Sequence, residues 1–174
     1  MALHGVKRLT AAAMLVSLSG SVATATAALN PQGNVTTRII AIAPGALNNA
    51  AMTTLVHCTN FGSVPGNIYT AFYNYDHTFV CSAVGGSAAV GQTISMAVTP
   101  VASMNNVFTC GPATTINQGA AYIAADMTQT LHFRCTVQLI ATASNPPASL
   151  DRLSLYTSGG APLRDIIFAD GFDP

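Results

Sequence analysis

The sequence predicts an all-β fold, an antiparallel two-sheet sandwich of about eight or nine strands held by two disulfides. Three observations lead there. Short runs of β-branched and aromatic residues recur at roughly 10–15-residue spacing, each closed by Gly, Pro, Asn or Ser. Beyond the N-terminal leader no segment combines the apolar period of a helix with helix caps. Four cysteines, Cys58, Cys81, Cys110 and Cys135, form an even set of the kind that staples small exported domains.

The chain opens with a signal peptide over residues 1–27. His4, Lys7 and Arg8 make a positive start, "LTAAAMLVSLSGSVA" an apolar centre, and "ATA" at 25–27 the small-x-small site that predicts cleavage after Ala27. A spanning helix needs about 20 apolar residues, and Thr, Ser and Gly interrupt this run, so no membrane span is expected in the mature chain. Residues 28–35, "ALNPQGNV", read as a linker, residues 36–158 as the β-domain and residues 159–174 as a C-terminal tail.

Within the domain, "TTRIIAIA" (36–43) is β-branched and ends at Pro44-Gly45. "MTTLVHC" (52–58) stops at the loop "TNFGSVPGN", and "IYTAFYNY" (68–75) leads through Asp76-His77 to "TFVC" (78–81). "AVGGSAAVG" reads as a flexible turn, and "TISMAV" (93–98) alternates cleanly before Pro100. "NVFTC" (106–110) precedes a second loop, and "AAYIAA" (120–125), "TLHFRCTVQLIA" (130–141) and "RLSLY" (152–156) complete the series. The expected relatives in shape are immunoglobulin- and fibronectin-like sandwiches. A small barrel has the same period-2 pattern and is the alternative.

Charge narrows the function. Charged residues make up 7% of the chain, against about 25% in an ordinary globular protein. There is no glutamate, and after Ala27 four arginines face six aspartates. With no basic stripe to neutralise phosphates, nucleic-acid binding is not expected. Three disulfide pairings are open; the nested one, Cys58–Cys135 with Cys81–Cys110, is favoured, and chain entropy credits its loops with roughly 4–5 and about 3.5 kcal/mol. No C-x-x-C spacing supports a zinc knuckle, so no metal or other cofactor is expected at these cysteines.

The stretch "TLHFRCTVQL" (130–139) alternates between an apolar row holding Cys135 and an outward row holding His132 and Arg134. "TLVHC" repeats the pattern, with Cys58 inward and His57 outward. Neighbouring strands would put the two histidines on one face; a disulfide between sheets would put them on opposite surfaces. His57, His77, His132 and Arg134 are therefore the candidate ligand or surface residues, with a solvent-facing row as the simpler reading. Dispersed methionines (Met52, Met96, Met104, Met127) and the histidines raise a copper binder as the alternative function. Catalysis is not expected: no G-x-S-x-G elbow occurs, Asp76-His77 are sequence neighbours, and six scattered aspartates offer no paired carboxylates. Tyr69, Tyr73 and Tyr75 share one strand parity and Phe72 the other, an aromatic row of the kind that meets glycans or proteins when exposed.

The ending "IFADGFD" resembles an "IF-x-DGF-[ED]" segment near the C-terminus of many exported proteins of Gram-negative bacteria, and "LVHCTNFG … FRCTV" resembles small, mostly uncharacterised exported β-proteins with two such cysteine strands. That resemblance implies an exported, disulfide-bonded β-domain with a recognition or processing tail at Phe168, Asp170, Gly171, Phe172 and Asp173. The combined expectation is a periplasmic or extracellular structural or binding module, without catalysis, that meets a protein or glycan partner and self-associates. A periplasmic small-ligand or copper binder is the alternative.

Overall fold

A computed structural model of the chain describes residues 37–101, 104, 106–111, 115–126, 132–142 and 148–163. The leader, the linker and tail residues Phe168, Asp170, Gly171, Phe172 and Asp173 lie outside the described residues. Nine strands follow in order: β1 (Thr37–Asn48), β2 (Met52–Asn60), β3 (Gly66–Asn74), β4 (Phe79–Ala88), β5 (Thr93–Ala97), β6 (Val107–Thr109), β7 (Ile116–Asp126), β8 (Phe133–Ala141) and β9 (Ser149–Leu153). Among the described residues there is no helix.

The strands form one hydrogen-bonded sheet in the order β4-β3-β7-β1-β2-β5-β6, with β8 added to β2 and β9 to β8. Two arms meet at a narrow corner, where β1 and β2 share the single register pair Asn48↔Thr53. Asn49 makes that corner by accepting the amides of Ala51 and Met52 on its side-chain oxygen, each at 2.9 Å. The inward rows of both arms close on one core. Ala41, Ile68, Phe72, Ala83 and Ile123 come from one arm, and Val56, Cys58, Ile94, Met96, Phe133 and Val137 from the other.

Two links draw the free edges together and make the sheet nearly barrel-like. Cys81–Cys110 joins β4 to the end of β6 with its Cα atoms 5.6 Å apart. Across the other seam Ile42 and Tyr156 exchange backbone hydrogen bonds of 2.8 Å in both directions. The expectation of a purely antiparallel sandwich is therefore corrected on two counts: β5 and β6 pair in parallel, and all nine strands belong to one mixed sheet.

Element boundaries also shift, for physical reasons. β4 runs through "AVGGSA", which in sequence has the look of a turn, because Gly85 is the extra residue of a bulge opposite Ile68 and Tyr69. A side chain there would meet the Ile94 Cγ2 methyl at 2.6 Å, so the glycine marks close packing across the core. β1 continues past Pro44-Gly45 through register shifts against β7. After Leu153 the chain is tied back to the sheet by the bridges Ile42↔Tyr156 and Tyr156↔Pro162.

Candidate functional site

β2 lies between β5 and β8, so its outward residues form the centre of a three-strand face. Cys58 stands directly opposite Cys135, with Cα atoms 4.1 Å apart, and the disulfide joins neighbouring strands. Parity then sets the rest: Val56, Cys58 and Asn60 are fully buried on the main-core side, while His57 and Thr59 lie on the opposite face, where Leu55 is buried in a second small cluster with Ala97, Val101 and Ile140. Across the ladder His57 meets Thr136, and Thr59 meets Arg134. The Phe61 amide donates to the His132 carbonyl at 2.8 Å, which adds Phe61 and His132 to the end of the row.

The alternation expected over 130–139 is borne out in the described part of that stretch: Phe133 and Val137 are buried, whereas His132 and Arg134 are exposed. His57 and His132 share a face but are separated by the step from Thr136 to His132, about 13 Å at strand rise. His57 Nδ1 is 2.8 Å from Ser95 Oγ. Burial holds its imidazole below the ordinary pKa, which leaves the ring neutral at pH 7. Beside it Thr59 and Thr93 pair their hydroxyls at 2.8 Å.

His77 lies elsewhere, in the β3–β4 turn with a positive φ of 63°. Its amide bonds Asn74, and Asp76 accepts the Thr78 amide at 3.0 Å. That hydrogen bond from Thr78 holds the Asp76 carboxyl below its usual range. The Asp76-His77 pair thus shapes a turn. Among the described residues no three His, Cys, Asp or Glu side chains gather as metal ligands. Met96 is fully buried in the core, where it accepts the Thr70 hydroxyl, and Met127 lies outside the described residues. Of the aromatic row, Phe72 and Tyr69 are buried, Tyr73 is half-buried edge-on against Tyr122 and Phe79, and Tyr75 is exposed.

Asn60, which strand patterning alone does not single out, organises the end of this face. Its Nδ2 donates to the carbonyls of Val64 at 2.9 Å and Ala88 at 3.0 Å, and its Oδ1 accepts the Gly62 amide at 2.8 Å. Its backbone exchanges bonds with Gln92 and Gly91 at 3.0 and 2.8 Å. One buried carboxamide therefore ties the β2–β3 loop to the β4–β5 turn. Gly62 is part of the device: a Cβ there would meet His132 Cβ at 2.8 Å, so only glycine lets the histidine lie over the loop. The available signal was the order of "CTNFG": a core cysteine, an outward threonine, then an inward asparagine where an apolar residue is expected.

The loops held this way present large apolar side chains to solvent. Phe61 is 66% exposed, Val90 53% and Val64 45%. The rim next to them carries His132 and Arg134, and Arg134 donates only to the carbonyl of Phe133, at 3.3 Å, among the described residues. Compared with protein-family profiles, with curated proteins and with solved structures, the chain matches none.

Proposed function

We propose that the chain is an exported, non-catalytic binding or adhesion-type module that meets its partner through the Asn60 loop end. One observation carries the reading: three large apolar side chains stand exposed on loops that a fully buried asparagine holds in place. Rigid loops lose little entropy on association, so such a surface is suited to binding. The two arms of the sheet close over one core, and the loops at this end form the contact region. Both disulfides fit an oxidising periplasmic or extracellular setting. The resemblance to exported Gram-negative β-proteins supports the same location, with the tail as a recognition or processing segment.

A small-ligand or copper binder requires His57, His77 and His132 to converge, and their places on a strand face, a turn and a loop end favour the binding-module reading. The test has two parts. The intact mass of the protein from its host is expected to begin at Ala28, with four cysteines alkylated only after reduction. The Phe61→Ser/Val90→Ser double variant is expected to fold normally and to run as a smaller native complex. A full-length leader, free thiols, or an unchanged complex in the double variant would overturn the reading. Self-association through the same face is expected, and a strict monomer by light scattering at high concentration would count against it.

A further inference from the structure

We propose that the edge of β8 at Phe133 and Cys135, left open where β9 peels away, takes up an extended, acidic segment of another protein as an added strand. The direction of the β8 backbone groups points there. Along an antiparallel strand, successive residues turn their N–H and C=O groups to opposite neighbours. On β8 the even-numbered residues face β2: the His132 carbonyl accepts the Phe61 amide at 2.8 Å, and the Thr142 amide donates to the Ala51 carbonyl at 3.0 Å. The odd-numbered residues face β9, where the Ala141 amide donates to the Ala148 carbonyl at 3.0 Å. Cys135 fits the second set. Its Cα lies 4.1 Å from that of Cys58, the close spacing of a pair that exchanges no ladder bonds. Its N–H and C=O therefore point away from β2, to the side on which β9 runs.

β9 does not reach that far. Its register with β8 ends at Val137↔Leu153, and by Tyr156 the chain has crossed to Ile42 of β1. Among the described residues no other strand pairs with β8 on this side. A groove of about 190 Å³ lies there, with Cys135, Thr136, Ser154, Leu155 and Pro162 in its lining. An added strand completes such an edge: main-chain bonds give affinity, and alternate side chains give specificity. Charge selects the occupant. Arg152 is the charged side chain that lines the groove, and no carboxylate joins it there among the described residues. The exposed Arg134 turns its guanidinium over the same edge, 3.3 Å from the Phe133 carbonyl. Two cations thus bracket the open stretch, which suits a strand carrying an acidic residue. This contact is separate from the loop end at Phe61, Val64 and Val90 and does not depend on it.

The test uses the purified mature full chain, dilute and with both disulfides formed, followed by amide NMR. In the free protein the Cys135 amide is expected to exchange about tenfold faster than the Arg134 and Thr136 amides, which face β2. The probe is a blocked hexapeptide, acetyl-VTDVTV-amide. It is expected to shift the Phe133 and Cys135 amides saturably and to slow their exchange. The same peptide with lysine for aspartate should bind about fivefold more weakly, and so should the aspartate peptide to Arg134→Gln, the scale of one exposed ion pair. Methylating alternate peptide nitrogens along the pairing edge should abolish binding. Ser154 is exposed, so Ser154→Trp is expected to keep its melting temperature while filling the groove and losing the peptide. A Cys135 amide as protected as that of Thr136 in the free protein would overturn the proposal, because the edge is then already paired. So would no binding, shifts centred elsewhere, or an affinity indifferent to Arg134→Gln or to N-methylation.

Discussion

Replacing Asn60 with alanine removes three hydrogen bonds at once and strands their partners. The groups left behind are the Gly62 amide and the carbonyls of Val64 and Ala88. An unpaired buried donor or acceptor costs about 1–3 kcal/mol. The bonds to Gly62 and Ala88 are buried, whereas that to Val64 is partly open to water. Two full penalties and a small third give an expected loss of about 2–5 kcal/mol, a large part of the ~5–15 kcal/mol that holds a typical domain. Urea unfolding with both disulfides intact is the assay; the midpoint should drop with little change in slope. Hydrogen exchange should show the Gly62 and Gly91 amides losing protection ahead of the core strands. Asn60→Asp keeps the shape but turns a carboxylate oxygen toward two carbonyls, and should cost at least as much at neutral pH. A loss below about 1 kcal/mol with unchanged protection would refute the reasoning, because a partner-satisfying amide cannot be that dispensable.

Other perturbations separate the parts of the account. Removing Cys58–Cys135, with its sequence separation of 77, should cost more than removing Cys81–Cys110, with its separation of 29; the loop-entropy difference is about 1 kcal/mol, readable from denaturation of the paired Cys→Ala variants. His57 titrates below its ordinary value of 6.5 because it is desolvated. The unfolded chain therefore takes up a proton first as pH falls, and stability should decline from about pH 6.5 downward through the lower folded pKa. His57→Gln should flatten that part of a melting-temperature profile, and an unchanged slope would contradict it. Gly119→Ala drives a methyl into the Tyr73 carbonyl where β7 meets β3; a soluble variant of native stability would contradict that β3–β7 register.

Side-chain alternation carried most of what was legible. In "TLVHC" and "FRCTV" the parity of each cysteine against its outward neighbour set which residues face the core, and the strands pair in the way that keeps both rows intact. The glycines of β4 misled because a flexible residue and a close-packed one have the same letter; the Ile94 methyl that requires Gly85 comes from another strand. Pro44-Gly45 stops a regular ladder but not a bulged one, so β1 ran longer than its sequence suggested. The parallel β5–β6 pair rests on a three-residue strand whose direction no local pattern encodes. Asn60 showed in sequence only as a polar residue at an inward position: one of its acceptors, the Ala88 carbonyl, lies 28 residues away, and a buried asparagine shows its role only when those loops are in place.

The most direct test of the loop-end assignment is site-specific photocrosslinking in the exporting cell, with the probe at Phe61 or, as a control, at Asn117, an exposed residue of β7. The account predicts discrete intermolecular adducts from position 61 that disappear in Asn60→Ala, and none from position 117. Adducts of equal yield from both positions, or none from position 61, would contradict it.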